Sequence, residues 1–228
     1  MTDAHCHVTS GDPTIRELLI GRDFVGVHPW ETLGDAANLD AQRCSEGVLR
    51  ASLAANPALG VGEIGLDRLK VREVPPLMRE VFETQLKLAF EFKRPVVLHG
   101  AKCWGQVVQA VKKELLNQQP QPTTPTFLFH GFSRSDGLIP DIVQLGGFIS
   151  VGPAILNDHA INYRELAKKI PLENLLIETD RTKSPESACD QDAVSICDVL
   201  KKLAEIRGIS ADTLERITDE NAARFFAF

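Results

Sequence analysis

The chain has 228 residues, 43% of them apolar and 25% charged, with a net charge of −6. That length buries a sizeable core without disulfide or metal staples, and no apolar run reaches the roughly 20 residues that cross a bilayer. The acidic balance excludes a general nucleic-acid coat, which needs a broad basic surface, but not an enzyme that handles one phosphate at a time.

Short β-branched or apolar runs alternate with amphipathic helical segments, the pattern of a parallel α/β protein. The first strand-like run is Thr2–His7, and only Asp12–Gly21 separates it from the second, Phe24–His28. The third, Leu59–Ile64, has Glu63 and Asp67 flanking its end. Pro75-Pro76 marks the start of a helix that carries Met78, Phe82 and Phe92 into the core. Pro95–His99 is the fourth run, and after it Trp104, Val107, Val108, Val111 and Leu115 share one helical face. Asn117–Pro125 (NQQPQPTTP) reads as a surface loop on the side away from the chemistry. Phe127–His130, Phe148–Val151 and Leu175–Thr179 complete seven strands. Ile196, Val199, Leu200 and Leu203 line a further helix, and Ser210-Ala211-Asp212 opens the last. One domain over 1–228 is expected.

The start, MTDAHCHV, lacks the basic and apolar regions of a signal peptide. Five scattered cysteines (Cys6, Cys44, Cys103, Cys189 and Cys197) include no C-x-x-C pair, which fits reduced thiols. A cytoplasmic protein without membrane association or an obligate protein partner is the expectation.

Every strand-like run but the sixth ends at, or just before, a residue able to bind metal or move protons. His5 and His7 close the first, His28 the second, His99 the fourth and His130 the fifth, with Glu63 and Asp180 at the third and seventh. Parallel α/β barrels place function at these C-terminal strand ends. In His5-Cys6-His7 the two imidazoles point to one face because strand side chains alternate, and Cys6 points into the core. Such nitrogen and carboxylate donors suit Zn²⁺, Mn²⁺ or similar ions. Glu63 is costly to bury unpaired, and bridging two cations removes that cost. Plainer readings stand beside these. His28 reads first as a histidine satisfied by backbone, and His159 as solvated. Glu178 either points with Asp180 or pairs with a cation to brace the site. Arg68, Lys102, Arg134, Arg181 and Lys183 are either phosphate-binding cations or solvated loop charges. Trp30 and Phe132 either stack on bases or pack.

D-A-H-C-H, V-G-E-I-G-L-D, P-V-V-L-H, H-G-F-S, G-F-I-S-V-G, L-L-I-E-T-D and N-A-A-R-F-F follow one another along the chain. In that order they resemble the TatD family of metal-dependent deoxyribonucleases, within the amidohydrolase superfamily. The resemblance implies an α/β, TIM-like (β/α) barrel. It also implies one metal on His5, His7, Glu63 and Asp180, and a second on Glu63, His99 and His130. Departures lie elsewhere: one βα unit is missing or shrunken near Asp12–Gly21, and Arg68-Leu69, Gly100-Ala101-Lys102 and Arg181-Thr182-Lys183 replace the usual loop residues.

The resemblance points to hydrolysis of phosphodiester bonds, at single-stranded DNA ends, by two divalent ions (Zn, Mg or Mn). Asp180 is the expected general base, with Glu63 beside it. Lys102, Arg68, Arg181, Arg134 and His28 are the expected substrate contacts. An amidohydrolase or deacylase on a small ester or amide, and a metal-binding barrel without turnover, are the alternatives.

Overall fold

A computed structural model of the chain describes residues 1–33, 46–118, 124–183 and 194–226. Cys44, Cys189 and residues 119–123 of the Asn117–Pro125 stretch lie outside the described residues. In chain order the elements are β1 (Thr2–Cys6), β2 (Arg16–Leu19), β3 (Phe24–Val25), α1 (Glu46–Ala55), β4 (Gly60–Asp67), α2 (Pro76–Phe92), β5 (Val96–Ala101), α3 (Trp104–Asn117), β6 (Phe127–Phe129), α4 (Ile139–Gln144), β7 (Phe148–Val151), α5 (Ile161–Lys169), β8 (Leu175–Ile177), α6 (Ile196–Arg207) and α7 (Ala211–Phe225). Contacts divide them into two compact units, Met1–Ile20 with His130–Ala227, and Gly21–Phe129. No helix among the described residues is long and apolar enough to cross a membrane.

Seven strands become eight among the described residues. The added one, β2, lies inside Asp12–Gly21, and no helix flanks it on either side before β1 or β3. That βα unit is therefore shrunken to its strand. Its sequence, Arg-Glu-Leu-Leu, is four residues long and has no β-branched side chain, so neither alternation nor propensity marks it.

In the first unit β1 and β2 pair in parallel, with Asp3 opposite Glu17. β7 and β8 also pair in parallel, with Ile149 opposite Leu175. Past β8 the backbone binds the end of β1: Asp180 N–H donates to the His5 carbonyl at 3.0 Å, and His7 N–H to the Arg181 carbonyl at 2.9 Å. α6 starts on a Ser195–Asp198 capping box and stops at Gly208, left-handed at φ 65°. Ser210 caps α7 by accepting from Thr213 N–H. Ile196, Val199, Leu200 and Leu203 are buried on α6, as their spacing predicts.

In the second unit β3, β4, β5 and β6 lie side by side in that order, all parallel. Parallel neighbours need long crossovers, which α1, α2 and α3 supply. α2 has proline in its first turn, where the missing N–H costs nothing, and buries Met78, Phe82, Leu86 and Ala89. β4 and β5 pass close together where Gly65 sits opposite His99. Gly65 has φ 154°, and a Cβ there would stand 2.0 Å from the His99 carbonyl oxygen. Only glycine permits this contact, which sets the register between Glu63 and His99.

Candidate metal centre

In the first unit His5 is fully buried on β1, and His7 follows the strand end with part of its ring exposed. Their rings meet edge to face with centroids 5.1 Å apart. Both Nε2 atoms approach one oxygen: Asp180 Oδ1 lies 3.4 Å from His5 Nε2 and 3.5 Å from His7 Nε2. Two ligands about 2.1 Å from a tetrahedral ion stand about 3.4 Å apart, so this spacing fits a shared cation. Asp180 has left-handed backbone, φ 51°, which aspartate tolerates better than most residues. Burial opposes ionisation of Asp180, but His5 and His7 outweigh it and hold the carboxyl well below its ordinary range. His130 is buried against His5, centroids 4.1 Å apart, and shares with His5 and Asp180 a cluster tight enough to hold an ion.

Two buried carboxylates brace this cluster. Glu178 accepts from the Ser150 hydroxyl at 2.6 Å and the Gly131 N–H at 2.7 Å, and Oε1 lies 3.8 Å from His130 Nδ1. It is thus committed to the frame, and β7, the strand without a metal-binding side chain at its end, contributes Ser150 to that frame. Asp3 accepts from both the N–H (3.0 Å) and the hydroxyl (2.6 Å) of Thr179. Burial pushes the Asp3 carboxyl up to about 6, against those two hydrogen bonds. Asp3 ties the segment that carries Asp180 to the strand that carries His5.

In the second unit His28, Glu63 and His99 form the corresponding cluster. Glu63 Oε1 is 2.6 Å from His99 Nδ1 and 3.4 Å from His28 Nε2. His28 lies beyond β3, not on it, as the N-cap of a 3-10 turn over Pro29–Thr32. Its Nδ1 accepts from Trp30 N–H at 3.1 Å, the backbone satisfaction expected of it, while Nε2 faces Glu63. The loop that presents it is held by buried Gln85, which accepts from Val27 N–H (2.7 Å) and donates to Val27 O (3.1 Å). Asp67 ends β4 fully buried and lies 2.8 Å from His99 Nε2. Its own burial favours the neutral form, but hydrogen bonds from His99, Leu69 N–H and the Trp30 indole hold its pKa at about 2.

The expected substrate contacts divide. Lys102 and Arg134 are exposed, both on left-handed backbone, and Lys183 is exposed. Arg68 is exposed but donates from Nε and Nη2 to the Arg72 carbonyl. Arg181 is largely buried and pairs with buried Glu17 at 3.1 Å, so its guanidinium is engaged within the fold. Phe132 is 2% exposed, which makes it packing and removes it as a stacking surface. Trp30 is 43% exposed, with Lys70 Nζ 3.5 Å above its ring. His159 is exposed in its loop, and Cys6 is buried, as expected for both.

Three framing residues escape the sequence reading. Asp3 shares strand parity with His5 and His7, a signal that was available. Gln85 is a polar residue on the apolar face of α2, also a visible anomaly. Glu17 is the buried partner of Arg181, 164 positions away, a pairing that no local pattern reveals.

The TatD related DNase family matches residues 21–227 of this chain. The metal-dependent hydrolase YcfH of Escherichia coli K12 is 25% identical over 219 residues, covering 93% of this chain and 77% of that protein. The 3'-5' ssDNA/RNA exonuclease TatD of Citrobacter rodentium is 27% identical over 209 residues, 87% of this chain and 77% of its own length. Among solved structures, the TatD homolog YJJV of Escherichia coli K12 aligns with a TM-score of 0.71 at 25% identity, covering 96% of this chain and 79% of that one. The fold class is accordingly an α/β TIM-like barrel, and the clustered imidazoles and carboxylates suit the divalent metal that such hydrolases use. On its family match, its relatives and its ligand clusters, the chain belongs to the TatD family of related DNases and is a metal-dependent hydrolase.

Proposed function

We propose that this hydrolase is a phosphodiesterase that trims single-stranded DNA ends in the cytoplasm, with 1–228 acting as one catalytic domain. The observation that carries this reading is the convergence of His5 Nε2 and His7 Nε2 on Asp180 Oδ1 at 3.4 and 3.5 Å. His5, His7 and Asp180 are the ligands we assign to one ion, and Glu63 and His99 to a second; His130, which the resemblance puts on the second, clusters with His5 and Asp180 and is assigned beside them. Zn²⁺, Mg²⁺ and Mn²⁺ all suit this donor set. When bound, such ions supply Lewis acidity toward a phosphoryl oxygen and lower the pKa of the attacking water.

The side chains perform the rest. Asp180, held ionised by His5 and His7, accepts the proton of the water at its carboxylate. Glu63 acts as a charged ligand of the second ion, with His99. Exposed Lys102 and Arg134 supply charge-assisted hydrogen bonds to phosphate, and Arg68 does so on release from the Arg72 carbonyl. The Trp30 ring offers a stacking surface for a base, with the Lys70 ammonium adding positive charge at its face.

The test is turnover of labelled single-stranded DNA, a generic phosphodiester and a small ester with Mg²⁺, Mn²⁺ or Zn²⁺. Cleavage of DNA and the diester is expected. Turnover of the ester alone rejects the nuclease reading in favour of a deacylase. Asp180→Asn keeps a side chain that tolerates φ 51° and should lower kcat at least 10²-fold. Full activity in that variant rejects Asp180 as the base.

A further inference from the structure

Asp67 is fully buried at the end of β4, and the hydrolytic reading gives it no task. Three nitrogens converge on its carboxylate. The Trp30 indole N–H donates to Oδ2 at 2.8 Å, Leu69 N–H donates to Oδ1 at 2.5 Å, and His99 Nε2 lies 2.8 Å from Oδ2. The first two can only donate. Both oxygens of Asp67 thus face fixed donors, and Oδ2 is the acceptor that His99 Nε2 meets, while the other ring nitrogen, Nδ1, lies 2.6 Å from Glu63 Oε1.

We propose that Asp67 is a positioning residue: it anchors His99 through Nε2–H, turns Nδ1 toward the ion that Glu63 also binds, and is itself held by the Trp30 indole. This rests on the assignment of Glu63 and His99 as metal ligands. Carboxylates that accept from a ligating imidazole fix its tautomer and raise its basicity, and their loss costs roughly 10–100-fold in metal affinity. Trp30 is suited to the outer position because it is pinned from two sides. The Lys70 ammonium lies 3.5 Å over its ring, and the His28 ring meets it at 5.0 Å, nearly perpendicular. An exposed aromatic thereby reaches a ligand through two hydrogen bonds, Trp30 to Asp67 and Asp67 to His99.

The experiment uses the full chain with Zn²⁺ as the probe. Chelator competition gives affinity and stoichiometry, and ¹⁵N spectra of histidine-labelled protein report which ring nitrogen is protonated. His99→Gln assigns the His99 signal, and exposed His159 is the internal control. The wild type should show His99 as the Nε2–H form with Nδ1 on the metal. Asp67→Ala should weaken one Zn²⁺ site roughly 10–100-fold and lose the fixed tautomer, with the second site unchanged. Asp67→Asn, nearly isosteric, covers the case in which the alanine variant fails to fold. Its amide can donate to Nε2, so the Nδ1–H form should appear. Trp30→Phe, which keeps an aromatic ring and removes the indole N–H, should shift both readouts the same way by less. Wild-type Zn²⁺ affinity and an unchanged His99 spectrum in Asp67→Asn overturn this proposal alone. A wild-type protein that takes up no Zn²⁺ overturns it together with the metal reading.

Discussion

Arg181 follows Asp180 directly, and as a strand-end cation it reads as a phosphate contact. In the fold its Nη1 donates to Glu17 Oε1 at 3.1 Å, with the Arg181 side chain 15% exposed and that of Glu17 5%. Glu17 also accepts from the Thr9 hydroxyl at 2.5 Å and from Ser10 N–H at 2.6 Å. Arg181→Ala removes the cationic partner of this buried carboxylate and leaves its hydrogen bonds to Thr9 and Ser10. Stranding one member of a buried pair costs about 3–5 kcal/mol. The surviving hydrogen bonds to a charged group reduce the expected loss to about 2–3 kcal/mol. For a chain of this length that is a fall in Tm of roughly 4–12 °C.

Urea titrations at neutral pH check this, with Arg181→Ala, Glu17→Gln and the double variant compared as a cycle. The double variant should recover much of the loss, because no charge is left buried alone. pH gives an independent reading. Burial works to raise the Glu17 carboxyl, but Thr9, Ser10 and Arg181 overcome it and hold the group below its ordinary 4.5. A depressed folded-state pKa means stability that is present above that ordinary value and lost as pH falls through the folded value. Arg181→Ala should therefore flatten the acid limb of the stability curve. If Arg181→Ala unfolds like the wild type and only raises KM for phosphate substrates, the guanidinium serves substrate and the pairing argument is wrong.

Gln85→Leu removes both hydrogen bonds to the Val27 peptide and should destabilise by about 2–4 kcal/mol. Loss of amide-exchange protection at Val27 reports it, and unchanged protection rejects Gln85 as the anchor of the His28 loop. Asp3 has a folded pKa raised to about 6, so the native state binds a proton that the unfolded chain lacks between the ordinary 3.8 and that value. Stability from this group falls as pH rises through that window. In metal-free protein, Asp3→Asn should thus compare more favourably with wild type at pH ~7.5 than at pH ~4.5. A difference independent of pH refutes the burial argument. Chelation should abolish hydrolysis and lower Tm, with both restored by Zn²⁺, Mg²⁺ or Mn²⁺. Activity that survives exhaustive chelation contradicts metal dependence.

The parts of the molecule that could be read from sequence are those set by local periodicity. α6 buries the face that its apolar spacing predicts, α3 buries its face through Val111 but leaves Leu115 only half-buried beside buried Glu114, and α2 begins at its paired prolines. The strand-end histidines could be read for the same reason, since chain order and a period of two are enough to place His5 and His7 together. β2 escaped because four residues without β-branching carry no period. His28 reads as the end of a strand, yet that strand stops at Val25, because the pull on Val27 comes from Gln85, 58 residues later.

What stayed illegible is the fate of the polar residues next to the ligands. Arg181 and Glu178 look like spare chemistry in the sequence, yet both are used inside the fold, one on Glu17 and the other on Ser150, Gly131 and His130. The physical reason is general: a ligand set of imidazoles and carboxylates is costly to bury, so each member needs a buried partner, and partners come from distant strands. D-A-H-C-H illustrates the consequence. Asp3, His5 and His7 share strand parity, but Asp3 binds Thr179 while His5 and His7 meet Asp180 one residue further on. The same spacing therefore encodes two ligands and one strap, and which residue is the strap follows from chemistry. A carboxylate can accept two hydrogen bonds from a single threonine, and an imidazole cannot.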